Sequence, residues 1–119
     1  GNKTRWYTTD LVLWTPHIVK VKNHFEMFVA SLNNDYVQPT HGIYRAKCAT
    51  PSPALADWSP LKQVLSTQNG TPWHSNWTYS PSVATKTDGT LVVFFTGRDP
   101  VNLATAPHIG RFNLAPLED

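Results

Sequence analysis

The hydrophobic residues of the chain fall into short runs separated by polar turns, and the same order of runs occurs twice. In the first half, residues 18–22 alternate between apolar and basic, Asn23 and His24 are polar, and residues 25–32 form a longer apolar run. Runs of this length bounded by turn residues are typical of β-strands. The pattern therefore predicts a β-hairpin with its turn at Asn23 and His24.

The second half repeats this layout about sixty-five residues later, a period typical of repeated sheet units. Residues 83–86 lead through Thr87, Asp88 and Gly89 to a run over residues 90–96. Asp-Gly is a strong signal for a tight hairpin turn, because it tolerates positive backbone angles. Third strands are predicted at residues 42–46 and 108–112.

The first repeat continues into a turn and a fourth strand over residues 57–65, whereas the second ends before such a strand. An antiparallel unit of four strands is the make-up of a β-propeller blade. We predict an all-β fold in which residues 1–119 form a single unit with about two blades, at 14–66 and, incomplete, at 79–119. A β-sandwich is the alternative. Ten prolines scattered along the chain disfavour long helices.

Each repeat opens with an aromatic residue two positions before a proline. The openings are residues 14–18 (Trp-Thr-Pro-His-Ile) and residues 79–83 (Tyr-Ser-Pro-Ser-Val). Two blades alone would leave sheet edges and apolar flanks uncovered, and such edges favour association. The repeat therefore predicts as partner either further polypeptide or copies of the chain itself, closing a ring.

Over residues 14–98 the chain resembles the five-bladed β-propeller glycoside hydrolases of families 43 and 32. The first opening is similar to the Trp-Ala-Pro-Asp-Ile opening of the arabinanase and xylosidase group. The second, with residues 94–97 (Phe-Phe-Thr-Gly), is similar to the Trp-Ser-Gly-Ser-Ala opening and Tyr-Thr-Gly strand end of the invertase and fructanase group. The resemblance implies hydrolysis of glycosidic bonds by paired carboxylates, without a cofactor.

The chain departs from this family at two positions, because His17 and Thr15 stand where the family has aspartates. The departure predicts that some catalytic carboxylates lie on other polypeptide. Asp99 remains a candidate, because the sequence around it resembles the Arg-Asp-Pro motif in which the Asp stabilises the transition state. A loop ion pair with Arg98 is the alternative. Asp10 is a second candidate, with a structural role at a strand end as its alternative.

The other carboxylates are predicted to be structural or solvated. Asp57 and Asp88 belong to turns, and Glu26 is expected at a rim or edge position. Solvent exposure is expected for the carboxylates in the remaining polar segments, which are Asp35, Glu118 and Asp119.

Aromatic side chains are candidates for sugar contacts, because indole rings pack against the C–H faces of sugars. The predicted carbohydrate-binding residues are Trp14, His17, Trp73, His74, Trp77 and Arg98. The alternative role of a tryptophan, pinning sheets together, is the interpretation for Trp58. The predicted function is therefore part of a hydrolase-like propeller that acts on or binds carbohydrate. A non-catalytic, lectin-like protomer that self-assembles is the alternative.

Charge and composition narrow the classes of function. The net charge is only +2 and has no basic stripe, which argues against nucleic-acid binding, and no apolar run is long enough for a membrane helix. The five histidines lack the spacing of a metal site. Cys48 is expected to be a buried small residue, with an interchain bridge or reactive thiol as the alternative. Sequons at Asn2, Asn69 and Asn76 favour glycosylation and secretion.

Overall fold

The computed structural model describes residues 13–31, 42–51, 54–66, 77–98 and 108–119. Within these ranges the chain consists of strands and one short 3-10 turn at Leu55–Asp57. The strands are β1 (Leu13–Val21), β2 (His24–Ser31), β3 (Gly42–Cys48), β4 (Lys62–Ser66), β5 (Trp77–Thr85), β6 (Leu91–Arg98) and β7 (His108–Leu114).

The strands form two antiparallel sheets in which neighbours in the sheet are also neighbours in the sequence. The first sheet has the order β1-β2-β3-β4 and the second has the order β5-β6-β7. Consecutive antiparallel strands need only local connections, which suits the turn-rich, proline-rich sequence. The predicted all-β class is confirmed.

The first hairpin turn lies one residue earlier than predicted. Lys22 and Asn23 form the turn, Lys22 has φ 45°, and Val21 pairs with His24. A two-residue hairpin with a positive φ at its first central position matches the twist of the flanking strands. His24 is therefore the first residue of β2 instead of a turn residue.

The second hairpin turn is formed by the residues that the sequence predicted. Gly89 has φ 92° and donates its N–H to Lys86 O at 2.9 Å. Thr90 N–H donates to the Asp88 carboxylate at 2.9 Å, so Asp88 acts as a turn residue. This hydrogen bond has the largest effect in lowering the pKa of Asp88.

β3 and β4 approach each other so closely that only glycine fits at the start of β3. Gly42 has φ 144°, and a Cβ atom at this position would lie 1.8 Å from Leu65 O. The register between the two strands also shifts between Ile43 and Tyr44. Glycine thus permits the fourth strand to join the sheet.

A small apolar cluster covers the face of the first sheet that points away from the second. Met27 and Ala46 pair across β2 and β3, and with Cys48 and Trp58 they form this buried cluster. Trp58 comes from the connection between β3 and β4, where Ser59 N–H donates to Lys47 O. As predicted, Cys48 is buried.

The larger core lies between the sheets. It joins Phe28 and Ile43 of the first sheet to the buried residues Val83, Leu91, Val93 and Phe95 of the second. The backbone of β5 lies closest to the first sheet and contacts β1, β2 and β3. Burial of these side chains is the main favourable term that holds the sheets together.

The two sheets contribute different faces of the repeat to this core. Phe28 pairs with Arg45 across β2 and β3, and in the second sheet Phe94 pairs with Arg111 across β6 and β7. These pairs occupy the same positions in the repeat, yet Phe28 is fully buried and Phe94 is 39% exposed. The second sheet packs through the opposite face, which carries Val93. We call its exposed side, carrying Ser82, Val92, Phe94, Ile109 and Arg111, the outward face.

Candidate functional site

Both repeat openings contain the same backbone irregularity. β1 pairs with β2 through a bulge between Trp14 and His17, and β5 pairs with β6 through a bulge between Tyr79 and Ser82. The aromatic-x-Pro openings are therefore parts of long strands, whereas the sequence placed the strands after them. A bulge inserts an extra residue and re-aims the side chains beside it.

Each bulge holds a non-glycine residue in the left-handed region. Thr15 has φ 49° and Ser80 has φ 55°, and each precedes a proline. Residues before proline normally adopt extended conformations, and a β-branched residue at positive φ is an outlier. Such a conformation costs about 1–3 kcal/mol and persists only where the surrounding structure holds it. The same strained geometry thus marks the same position in both repeats.

The first bulge presents two of the predicted sugar-binding residues. Trp14 is 47% exposed, as is Ile18 of the same strand at 46%, whereas Phe28 and Ile43 in the middle of the sheet are fully buried. His17 lies half-buried opposite Phe28 on β2. An exposed indole beside a half-buried imidazole can offer a flat apolar surface and a hydrogen-bonding group to the same ligand.

The other predicted site residues are located only in part. Trp77 at the start of β5 pairs through the backbone with Arg98 at the end of β6, so these two positions are adjacent. Seven predicted positions lie outside the described residues, namely Asp10, Asp99, Trp73, His74, Asn2, Asn69 and Asn76.

A buried cluster of charged side chains lies at one end of the core. Glu26 on β2 is fully buried and accepts from Arg45 Nε at 2.9 Å and from Arg45 Nη2 at 2.5 Å. The Arg45 guanidinium also lies 5.5 Å from the centre of the Phe28 ring. On its other oxygen, Glu26 is 2.9 Å from His24 Nε2. A buried carboxylate requires such partners, because desolvation of an unpaired charge is costly.

The segment that follows β7, residues 115–119, crosses this cluster and completes it. Leu117 N–H donates to Glu26 Oε2 at 2.9 Å, and Arg45 Nη2 donates to Ala115 O at 2.9 Å. Lys47 also donates to a main-chain oxygen of the segment, that of Glu118. The charged residues of the first sheet therefore bind the second repeat mainly through its backbone.

The last residue of this segment is held by the first hairpin. His24 Nδ1 is 2.5 Å from Asp119 Oδ1, and Asn23 Nδ2 donates to Asp119 Oδ2 at 2.9 Å. Both nitrogens of His24 thus face carboxylates, since Nε2 faces Glu26. Only the protonated imidazolium can donate from both nitrogens. The geometry therefore favours a charged His24.

The pKa directions agree with this arrangement. Burial lowers the pKa of His24, but the hydrogen bonds and charges of Asp119 and Glu26 outweigh burial and raise it above its ordinary value. The hydrogen bond from His24, followed by that from Asn23, lowers the pKa of Asp119. Each partner stabilises the charged form of the other.

Sequence reasoning missed this cluster. Glu26 was expected at a rim or edge position, and this expectation is wrong because the segment after β7 folds back over β2. Asp119 is exposed, as expected, but its carboxylate also binds His24 and Asn23. One signal was available: His24 and Glu26 are two apart in a strand, so their side chains share a face. The partners on β3 and after β7 are too distant in sequence to be recognised.

Two clefts border the cluster. One, of about 340 Å³, is lined in part by His24, Lys47, Asp57 and Asp119. The other, of about 290 Å³, lies between the first hairpin and the segment after β7. The polar groups of the cluster already bind one another, so the cluster holds the segment 115–119 against the first sheet. We call this set of contacts, made by Asn23, His24, Glu26, Arg45 and Lys47 with residues 115–119, the clamp. In the ranges that the structure describes, no group of three or more His, Cys, Asp or Glu side chains could hold a metal ion.

No protein-family model, curated protein or solved structure matches the chain.

Proposed function

We propose that the chain is part of a carbohydrate-active β-propeller, related to the glycoside hydrolases of families 43 and 32, and that its first repeat opening contacts the sugar. The observation that carries the proposal is the repeated strained bulge, which leaves Trp14 exposed beside His17. Strained backbone persists where function or packing selects it. Exposed indole rings are the side chains best suited to stack on sugar rings.

The way in which the repeats pack supports the propeller form of the fold. In a sandwich of two equivalent sheets related by a two-fold axis, each sheet would use the same face. Here the face carrying Phe28 packs on the opposite face of the second sheet, the one carrying Val93. Such head-to-tail packing can continue from sheet to sheet until a ring closes.

Catalysis by the described residues has little support. Glu26, a fully buried carboxylate, is engaged by Arg45, His24 and the N–H of Leu117. The opening carries His17 where the resembling family has aspartate. We therefore assign sugar binding to the described part of the chain. At least one of the catalytic carboxylates of a hydrolase is then supplied by other polypeptide, and Asp10 and Asp99 are the candidates from this chain.

Calorimetric titration with arabino-, xylo- and fructo-oligosaccharides tests the proposal. We expect the chain to bind one of these series at up to about 10 mM sugar and the variant Trp14→Ala to weaken binding at least about tenfold. Phe94→Ala is the matched control, because Phe94 is an aromatic residue of similar exposure on the outward face. Binding that Trp14→Ala leaves unchanged, or no binding to any of the sugars, would refute the assigned site.

Secretion and glycosylation belong to the same proposal. The three sequons at Asn2, Asn69 and Asn76 support it. In the ranges described, no helix is long and apolar enough to cross a bilayer. Intact-mass measurement of the protein from its natural source should show added glycan, and an unmodified mass would count against export through a glycosylating pathway.

A further inference from the structure

We infer that the outward face of the second sheet is a docking surface for a further sheet repeat of the same kind, and that this partner supplies the acceptors for Arg111. The inference rests on the head-to-tail packing that supports the proposed propeller, and it is independent of sugar binding. Its evidence is the correspondence between the outward face and the face that the first sheet already uses for packing.

The correspondence holds strand by strand. Phe28 pairs with Arg45 and Ala30 pairs with Ile43 in the first sheet. At the same positions of the second sheet, Phe94 pairs with Arg111 and Thr96 pairs with Ile109. Phe28 and Ile43 are fully buried against the second sheet, whereas their counterparts Phe94 and Ile109 are 39% and 73% exposed. The outward face therefore has apolar and basic residues at the positions that form the interface in the first sheet, but no sheet among the described residues covers it.

The charge of Arg111 indicates which polar groups the partner must supply. Arg45 has two kinds of acceptor: the carboxylate of Glu26 on its own sheet and the carbonyl of Ala115, which belongs to the neighbouring repeat. Val92 takes the place of Glu26 in the second sheet. None of the ion pairs among the described residues includes Arg111.

A docked sheet must therefore bring its own acceptors, because a buried guanidinium without partners is strongly unfavourable. We expect a main-chain carbonyl from the segment that follows the partner's third strand, together with an Asp or Glu side chain. Its apolar face should correspond to the one that carries Leu91 and Val93 in this chain.

A second copy of the chain fits this surface poorly. The face that the copy would have to present is that of Met27 and Ala46, because these residues correspond to Val93 and Phe112. That face is already covered by Trp58 of the same sheet. The occupant is therefore a further repeat on polypeptide beyond these 119 residues.

Thiol labelling tests the inference. The variant Ile109→Cys is prepared in the 119-residue chain and in the longest natural polypeptide that contains it, and the labelling rates are compared. We expect labelling at position 109 to be at least about tenfold slower in the longer polypeptide, because docking removes the side chain from solvent. Thr87→Cys, in the exposed second turn, is the matched control and should label equally fast in both. Buried Cys48 gives the background rate.

The alternative outcomes each contradict the inference. Equal rates at position 109 would show that the outward face stays in solvent. A natural polypeptide of no more than 119 residues that is monomeric by native mass spectrometry would exclude a further repeat. Protection at position 109 in a homodimer of the chain would replace the proposed occupant with a second copy. None of these results depends on sugar affinity, so the sugar-binding proposal succeeds or fails separately.

Discussion

The two sheets share a register but differ in what surrounds them. Phe28 with Arg45 and Phe94 with Arg111 occupy the same positions of the repeat. One pair is buried beneath the second sheet, and the other lies on the outward face. One difference on the same face of the central strand concerns charge, because the first sheet has Glu26 where the second has Val92.

Burial of a residue in this chain therefore depends on the order of the sheets as well as on the sequence of its strand. An arginine between two sheets needs a fixed carboxylate, and Glu26 supplies it to Arg45. On the outward face of the 119-residue chain the corresponding Arg111 is exposed, so these residues need no carboxylate at the position of Glu26. Four experiments test this comparison.

Truncating the two equivalent phenylalanines should give the largest contrast. We expect Phe28→Ala to lower the free energy of unfolding by about 3–5 kcal/mol, because it leaves a cavity in the core between the sheets. Phe94→Ala, the matched change on the outward face, should cost less than about 1 kcal/mol. Urea denaturation of both variants measures the difference, and equal losses would mean that the two faces are equally buried.

Removing the buried charge should have the next largest effect. Glu26→Gln keeps the size of the side chain but leaves Arg45 without its counter-charge, so we expect a loss of about 3 kcal/mol in urea denaturation. Glu118→Gln is the control on an exposed residue and should change stability by less than about 0.5 kcal/mol. The reciprocal variant Val92→Glu should gain less than about 1 kcal/mol from Arg111, because that pair would be exposed. A large gain in the 119-residue chain would contradict the exposure of its outward face.

Relieving the strained bulges should stabilise the chain slightly. Thr15→Gly and Ser80→Gly should each raise the free energy of unfolding by about 1 kcal/mol, because glycine adopts a positive φ without steric cost. Ser82→Gly, in the same strand but outside the left-handed region, should instead lose about 0.5–1 kcal/mol. Thermal unfolding of the three variants measures the signs. A loss at both bulges would show that their side chains matter more than their backbone strain.

A change in pH should alter the free energy of unfolding the least. The raised pKa of His24 contributes stability that is fully present below its unfolded value of about 6.5 and is lost as the pH rises through the folded value. The lowered pKa of Asp119 contributes stability that is present above its unfolded value of about 3.9 and is lost on acidification through the folded value. The clamp should therefore be strongest between these limits.

Thermal unfolding from pH 5 to pH 9 measures the alkaline side of this profile. The difference between the wild-type chain and His24→Gln should shrink as the pH rises above about 7. His17→Gln is the comparison variant for loss of a histidine outside the cluster. A constant difference for His24→Gln would indicate that the side chain acts through packing alone.

Much of the fold could be predicted from local sequence pattern, whereas the clamp could not. The strands, the turn at Gly89 and the buried position of Cys48 were predicted, because each depends on neighbouring residues. Trp58 was expected to pin two sheets together, but it packs on Met27, Ala46 and Cys48 of its own sheet. The bulge at Thr15 could not be predicted, because a residue before proline is normally extended. The partners of Glu26 include a backbone group 91 residues away, and only the packed sheets bring the two together.

The clamp also orders the events of folding. The local strands of the first sheet can pair early, but Glu26 and Arg45 obtain their last partners only when the segment after β7 has been made and docked. Contacts between such distant segments form late, because loop closure costs entropy before they can contribute. During synthesis on the ribosome, Glu26 and Arg45 therefore lack these partners until residues 115–119 have emerged and docked.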